Sequence, residues 1–164
     1  MLQGPDEQEL RLREVYELLG NGMLKISYHV EPNGAFATLP KLGLQFGAVN
    51  DFRSVCYYGN RYEAYPDRRR AQLIGNYDLP LEQLSVMTHV VPQENGNHEA
   101  YWLALHGENG GLLINGVGVE PINFSVRDCE DWRLSKAERW YDLESSDHYI
   151  ISVDYRQAGI GTAT

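Results

Sequence analysis

Turn signals recur along this chain at intervals too short for long helices, and that spacing constrains the fold more than any other feature. Gly20-Asn21-Gly22, Glu31-Pro32-Asn33-Gly34 and Glu108-Asn109-Gly110-Gly111 are built from residues that accept tight-turn dihedrals. Between such signals run short segments with alternating apolar and polar side chains, the period of a half-buried strand. Leu10 to Leu19 and Met23 to Val30 flank the first turn and read as a hairpin. Leu42 to Val49 alternates, and Asp51 to Tyr58 is rich in aromatic and β-branched residues. Gln83 to Val91, Glu99 to His106, Leu112 to Val119, Phe124 to Val126 and His148 to Tyr155 complete the strand set. The series predicts an all-β sandwich or barrel. Cys129 to Asp142 breaks the pattern. Its good helix formers, with Trp132, Lys136 and Trp140 at i, i+4 spacing, predict one short helix or helical turn between Asp131 and Trp140.

At 164 residues a single domain with one core is the expectation. The 14 basic and 23 acidic side chains leave a net charge of -9, opposite to what a nucleic-acid footprint requires, so no nucleic-acid partner is expected. No apolar run approaches the roughly 20 residues that span a bilayer, so no membrane partner is expected either. Met1 to Glu9 is polar and acidic with no apolar h-region, and no signal peptide is expected in this chain. Cys56 and Cys129 are too few for a disulfide framework and lack ligand spacing, and the five His show no i, i+4 pairing. No metal site and no cofactor are expected in the chain. Cys56, inside an apolar segment, reads as a small core residue.

Two constellations could carry chemistry. Glycoside hydrolysis needs a pair of carboxylates across the scissile bond, and Glu63, Asp67, Glu94 and Glu99 lie in or beside two polar loops. Arg61 and Arg68 are close enough in sequence to pair with them, and no catalytic residue is assigned. The second constellation is aromatic plus amide: Tyr57, Tyr58, Tyr62 and Tyr65, then Gln93, Asn95 and Asn97, then Tyr101 and Trp102. Rings stack on sugar C–H faces while amides bond hydroxyls; the competing reading is that these rings fill a sandwich core.

Several segments, taken in order, resemble one family. Leu39-Pro40-Lys41-Leu42-Gly43-Leu44 is similar to an LPRxGL strand, with Lys41 in place of Arg. Glu63-Ala64-Tyr65-Pro66-Asp67-Arg68 resembles an ExYPDR segment, and Gly75-Asn76-Tyr77 the element soon after it. Val91-Pro92-Gln93-Glu94-Asn95-Gly96-Asn97 resembles a V-x-P-Q-E-N-G-N loop, Phe124-Ser125 an F-S stretch, and Gln157-Ala158-Gly159-Ile160-Gly161 a final Q-x-G-[IV]-G element. Together they resemble the C-terminal small-chain domain of bacterial β-galactosidases of glycoside hydrolase family 2. Besides Lys41, the chain departs from that pattern in three places. Gly59-Asn60-Arg61-Tyr62 replaces GxGP, Cys129 stands at a Tyr position, and Arg139 stands where His is common.

The resemblance implies an antiparallel β-supersandwich of galactose mutarotase-like type, with residues 1–164 as a single β-sandwich domain forming part of a larger small-chain domain. It implies a retaining parent enzyme acting on terminal β-D-galactosides, with its two catalytic Glu on a separate TIM barrel where Mg or Na would also sit. The chain is then a non-catalytic domain that shapes the active-site mouth or a subunit interface, in a cytoplasmic or periplasmic bacterial enzyme. Its partners would be the barrel, the galactoside and further copies in a homo-oligomer. Carbohydrate-binding or interface candidates are Glu63, Tyr65, Asp67, Arg68, Gln93, Glu94 and Asn95. Two alternatives stand beside this: a free-standing carbohydrate-binding module, and an aldose epimerase using His98 or His106 as acid with Glu94 as base.

Overall fold

The computed structural model describes residues 2–3, 9–34, 41–49, 51–61, 72–84, 98–118 and 120–157. The chain divides into two compact units, Met1–Leu39 and Pro40–Thr164. The first is a three-stranded antiparallel sheet in the order β1 (Leu2–Gln3), β2 (Glu9–Leu18), β3 (Leu24–Asn33). The hairpin expected around Gly20-Asn21-Gly22 is present. Leu18 pairs with Leu24, the Leu19 amide donates to the Met23 carbonyl at 2.8 Å, and the Gly22 amide donates to the Leu19 carbonyl at 3.0 Å. The turn expected over residues 31–34 is corrected, because β3 runs on to Asn33 with Pro32 opposite Leu10. β3 is the outer strand of this sheet, where a residue without an N–H is tolerated.

The second unit holds a seven-stranded sheet in the order β4-β10-β9-β7-β5-β6, with β8 also pairing β7. Its strands are β4 (Lys41–Val49), β5 (Phe52–Asn60), β6 (Ile74–Pro80), β7 (His98–Gly107), β8 (Gly110–Asn115), β9 (Ile122–Arg127) and β10 (His148–Gln157). Every pairing is antiparallel. The all-β class read from the turn spacing, and the antiparallel pairing that the resemblance implies, are therefore what the described residues have. β7 is the hub. One edge pairs with β5, while the other pairs first with β9 through residues 98–100 and then with β8 through residues 102–107.

The core lies on one face of this sheet. Val55, Tyr57, Leu103, Leu105, Phe124 and Ile151 are fully buried, with Leu81, Leu84, Ala100 and Val126 beside them. β7 changes core parity along its length: His98 and Ala100 are buried at its start, Leu103 and Leu105 further on. The switch falls where Tyr58 pairs with Trp102 but Gly59 with Ala100, which leaves Tyr101 as the extra residue of a bulge. Cys56 follows Val55 on β5 and so points away from the core. It is half-buried, which corrects its reading as a core residue, whereas Cys129 is buried.

The helical expectation holds in shortened form. α1 covers Asp131–Lys136, and Trp140–Asp142 is a separate 3-10 turn. Lys136 Nζ lies 5.3 Å from the Trp132 ring centroid, the i, i+4 contact, but Ala137 at φ -70°, ψ 130° ends the helix before Trp140. The strand expected from Gln83 is corrected at its start, because Leu81–Gln83 forms a 3-10 turn; residues 85–91 lie outside the described residues. β6 covers Ile74–Pro80, a stretch where no strand is expected from the turn spacing. No described helix is long and apolar enough to cross a membrane.

Candidate functional site

Three strand ends meet at one end of the large sheet. Asn60, the last residue of β5, pairs with Ile74, the first described pair of β6, and Gly59 pairs with both Gly75 and Ala100. His98 opens β7 opposite Phe124. The backbones crowd here: a Cβ on Gly59 would sit 2.0 Å from the Glu99 carbonyl oxygen, so only glycine fits. Beyond Arg61 the chain continues into residues 62–70, and residues 91–97 lead into His98. The two segments that carry all seven sequence candidates are thus joined to the same end of the sheet. Glu63, Tyr65, Asp67, Arg68, Gln93, Glu94 and Asn95 themselves lie outside the described residues.

Aromatic side chains clamp the stems of those segments. The Tyr57 hydroxyl donates to the Arg61 carbonyl at 3.0 Å and lies 3.4 Å from His98 Nδ1. The Tyr77 hydroxyl donates to the Leu73 carbonyl at 3.0 Å, and the Arg61 amide donates to that same carbonyl at 3.1 Å. The Tyr57 ring packs at 5.4 Å on Tyr77, 5.5 Å on His98 and 5.2 Å on Phe124, and His98 stacks on Phe124 at 5.3 Å. Burial holds His98 as the neutral ring: its pKa is lowered to about 4, with a hydrogen bond to the Asn60 backbone opposing that fall. Burial likewise pushes the Tyr57 hydroxyl up, keeping it protonated. Neither group is poised for proton transfer near neutral pH. His98, one candidate acid of the epimerase reading, is a packing residue, and the other, His106, is exposed on β7.

The aromatic set read from sequence is divided by the sheet. Tyr57 faces the core, while Tyr58 and Tyr101 form an exposed ring pair 5.4 Å apart. Tyr62 and Tyr65 lie outside the described residues.

A second polar arrangement was missed by sequence reading. On β9, Ile122, Phe124 and Val126 face the core, so Asn123, Ser125 and Arg127 face the other way, and all six are buried. On β10 Asp154 pairs with Asn123 and Ser152 with Ser125, and both are buried too. Lys41 Nζ approaches Asp154 Oδ2 at 3.5 Å. A Cβ on Gly43 would sit 2.2 Å from Asp154 Oδ1. The Lys and the Gly of Leu39-Pro40-Lys41-Leu42-Gly43-Leu44 thus both serve one buried carboxylate. Arg127 pairs with Asp131, and Gln45 Nε2 bridges Asp131 Oδ2 at 2.7 Å and Ser152 Oγ at 3.1 Å. The available signal was the placement of Ser152 and Asp154 two apart in one strand, which sets both on one face.

Comparison with known proteins gives the family. The profile of the "Beta galactosidase small chain" family matches residues 4–164. The chain belongs to the β-galactosidase small-chain family. A β-galactosidase of Actinobacillus pleuropneumoniae is 26% identical over 148 residues, covering 90% of this chain and 14% of that protein. The β-galactosidase BgaC of Bifidobacterium adolescentis is 27% identical over 161 residues, 96% of this chain and 15% of its own length. A β-galactosidase of Kluyveromyces lactis is 25% identical over 144 residues, 87% of this chain and 13% of that protein. This small-chain sequence therefore spans about one seventh of the length of the relatives it matches.

Proposed function

We propose that this chain is a non-catalytic portion of a retaining β-galactosidase that shapes the mouth of the active site or a subunit interface. The observation that carries this reading is the coverage: β-galactosidases match nearly all of this chain with only about one seventh of their own length. On this reading the catalytic carboxylate pair and any Mg or Na belong to a TIM barrel outside the chain. Glu63, Tyr65, Asp67, Arg68, Gln93, Glu94 and Asn95 are the candidates for carbohydrate or interface contact, in segments that adjoin the Tyr57, Tyr77 and His98 clamp in the chain. The clamp supports the reading because it fixes the stems of both segments while its own titratable groups stay neutral. A chromogenic β-galactoside assay tests the proposal. The isolated chain gives no turnover, and activity appears when the remaining galactosidase polypeptide is supplied. Turnover by the chain alone, lost in Glu63→Gln or Glu94→Gln, contradicts it. Titration with galactose or lactose followed by Tyr and Trp fluorescence tests the alternative of a free-standing binding module, for which saturation by sugar in the absence of any other polypeptide is required.

A further inference from the structure

The connection between β9 and β10, residues 128–147, is a loop that closes on itself and carries its own cleft. Its stem is pinned: the Ser145 hydroxyl donates to Asp128 Oδ2 at 2.8 Å, and the Ser146 amide donates to the Asp128 carbonyl. Leu134 is the buried residue of α1 and holds the helix down. Arg133 Nη1 joins α1 to the returning arm, 3.2 Å from Glu144 Oε2 and 3.4 Å from the Glu144 carbonyl. Between the two arms lies a cleft of about 490 Å³, open to solvent and within the size range of small-molecule sites. Every residue that lines it belongs to this one loop.

The lining combines one ring with charges of both signs. Trp132 is 54% exposed, and its Nε1 donates to the Glu130 carboxylate, which orients the indole. Arg133 and Lys136 lie 5.2 and 5.3 Å from the ring centroid, drawn there by cation–π attraction, so N–H donors stand beside the ring. Glu138, Asp142 and Glu144 supply acceptors. Two cations against three carboxylates are near balance and hold no ion of either sign strongly. A sugar meets all of these groups at once. Its C–H face stacks on the indole, and its hydroxyls donate to carboxylates while accepting from the cations. We infer that this cleft is a binding site for a neutral saccharide, with Trp132 as the stacking surface and Lys136, Glu138 and Asp142 as hydroxyl partners. Arg133 and Glu144, engaged with each other, set the spacing of the two arms. The inference rests on the proposed function only for the choice of galactosides as probes, and the cleft is separate in sequence from the seven candidates named there.

The test titrates the 164-residue chain with lactose, and with galacturonate as the charged comparison, and reads saturation-transfer NMR and Trp fluorescence. The wild-type chain binds lactose saturably and galacturonate at least about threefold more weakly, because a carboxylate meets three others in the lining. Trp132→Ala weakens lactose binding by at least about tenfold, and Trp132→Tyr by no more than about threefold. Glu138→Ala combined with Asp142→Ala weakens it by about fivefold or more, while Tyr101→Ala, in the exposed ring pair of β5 and β7, stays within about twofold. All these substitutions are at exposed side chains, and circular dichroism of each variant confirms that the fold is kept. Sugar saturation is expected from a domain portion and from a free-standing module alike, and the chromogenic assay above separates those two. Absence of saturable binding by the wild-type chain, or binding that survives Trp132→Ala, overturns the inference and leaves the proposed function standing. Tighter binding of galacturonate than of lactose overturns the assignment to a neutral saccharide.

Discussion

The two sheets of this chain obey the same local rule and end in opposite states. In β5, β7 and β9 the alternating apolar residues are buried: Val55, Leu103, Leu105 and Phe124 are each 0% exposed. In β2 and β3 the alternation is broken by Glu14 and Val15; Leu12, Tyr16, Leu18 and Leu24 are exposed, and Ile26, Tyr28 and Val30 are half-buried. Alternation specifies a strand and its two faces; it does not specify what covers the apolar one. The large sheet draws its cover from its own unit, with Leu81 and Leu84 of the segment after β6 among its core residues. The hairpin unit has no comparable core, and Leu10 is its one buried hydrophobic residue among those described.

Substitutions can break this contrast, beginning where the effect is largest. Phe124→Ala removes a ring packed on Tyr57 and His98 at the centre of the large sheet and is expected to cost about 3–5 kcal/mol in chemical denaturation. A loss below 1 kcal/mol (on the scale of a surface change) would place the core elsewhere. Next comes pH. His98 has a folded-state pKa of about 4 against an ordinary value of 6.5, so between those limits the unfolded chain binds more protons than the folded one. Its contribution to stability is complete above about pH 6.5, falls as pH drops toward 4, and is level below; the total is about 3 kcal/mol. Denaturation midpoints of wild type and His98→Gln across this range should converge toward acid, and parallel curves would refute the assignment. Gly59→Ala forces a Cβ onto the Glu99 carbonyl oxygen and is expected to cost about 1–3 kcal/mol. The smallest effect belongs to the hairpin: Leu24→Ala should change the stability of the isolated chain by no more than about 0.5 kcal/mol in the same denaturation series.

The legible part of the fold was the part that depends on neighbours in sequence. The Gly20-Asn21-Gly22 hairpin, the strands around Phe46, Val55, Leu105 and Ile151 and the helical break at Asp131 all follow from local periodicity and turn chemistry. Pro32 misled because a proline in an outer strand and a proline in a turn look alike without knowledge of the edge. Cys56 misled because an apolar run does not reveal which face a residue takes, and the parity change at Tyr101 is invisible until β5 is laid beside β7. At the candidate site, the ordered motifs identified the segments but not the clamp. Tyr57, Tyr77 and His98 are separated in sequence and meet only through strand register. The buried pairing of Asp154 with Lys41 was hidden for the same reason, since it joins β10 to β4.

Amide hydrogen exchange of the isolated chain, read strand by strand, tests most directly whether the large sheet with its buried core is the more stable of the two units. Amides of β5, β7 and β9 should exchange at the global limit, and those of β2 and β3 faster by on the order of 100-fold or more. Equal protection of both sheets in the chain alone would contradict the account.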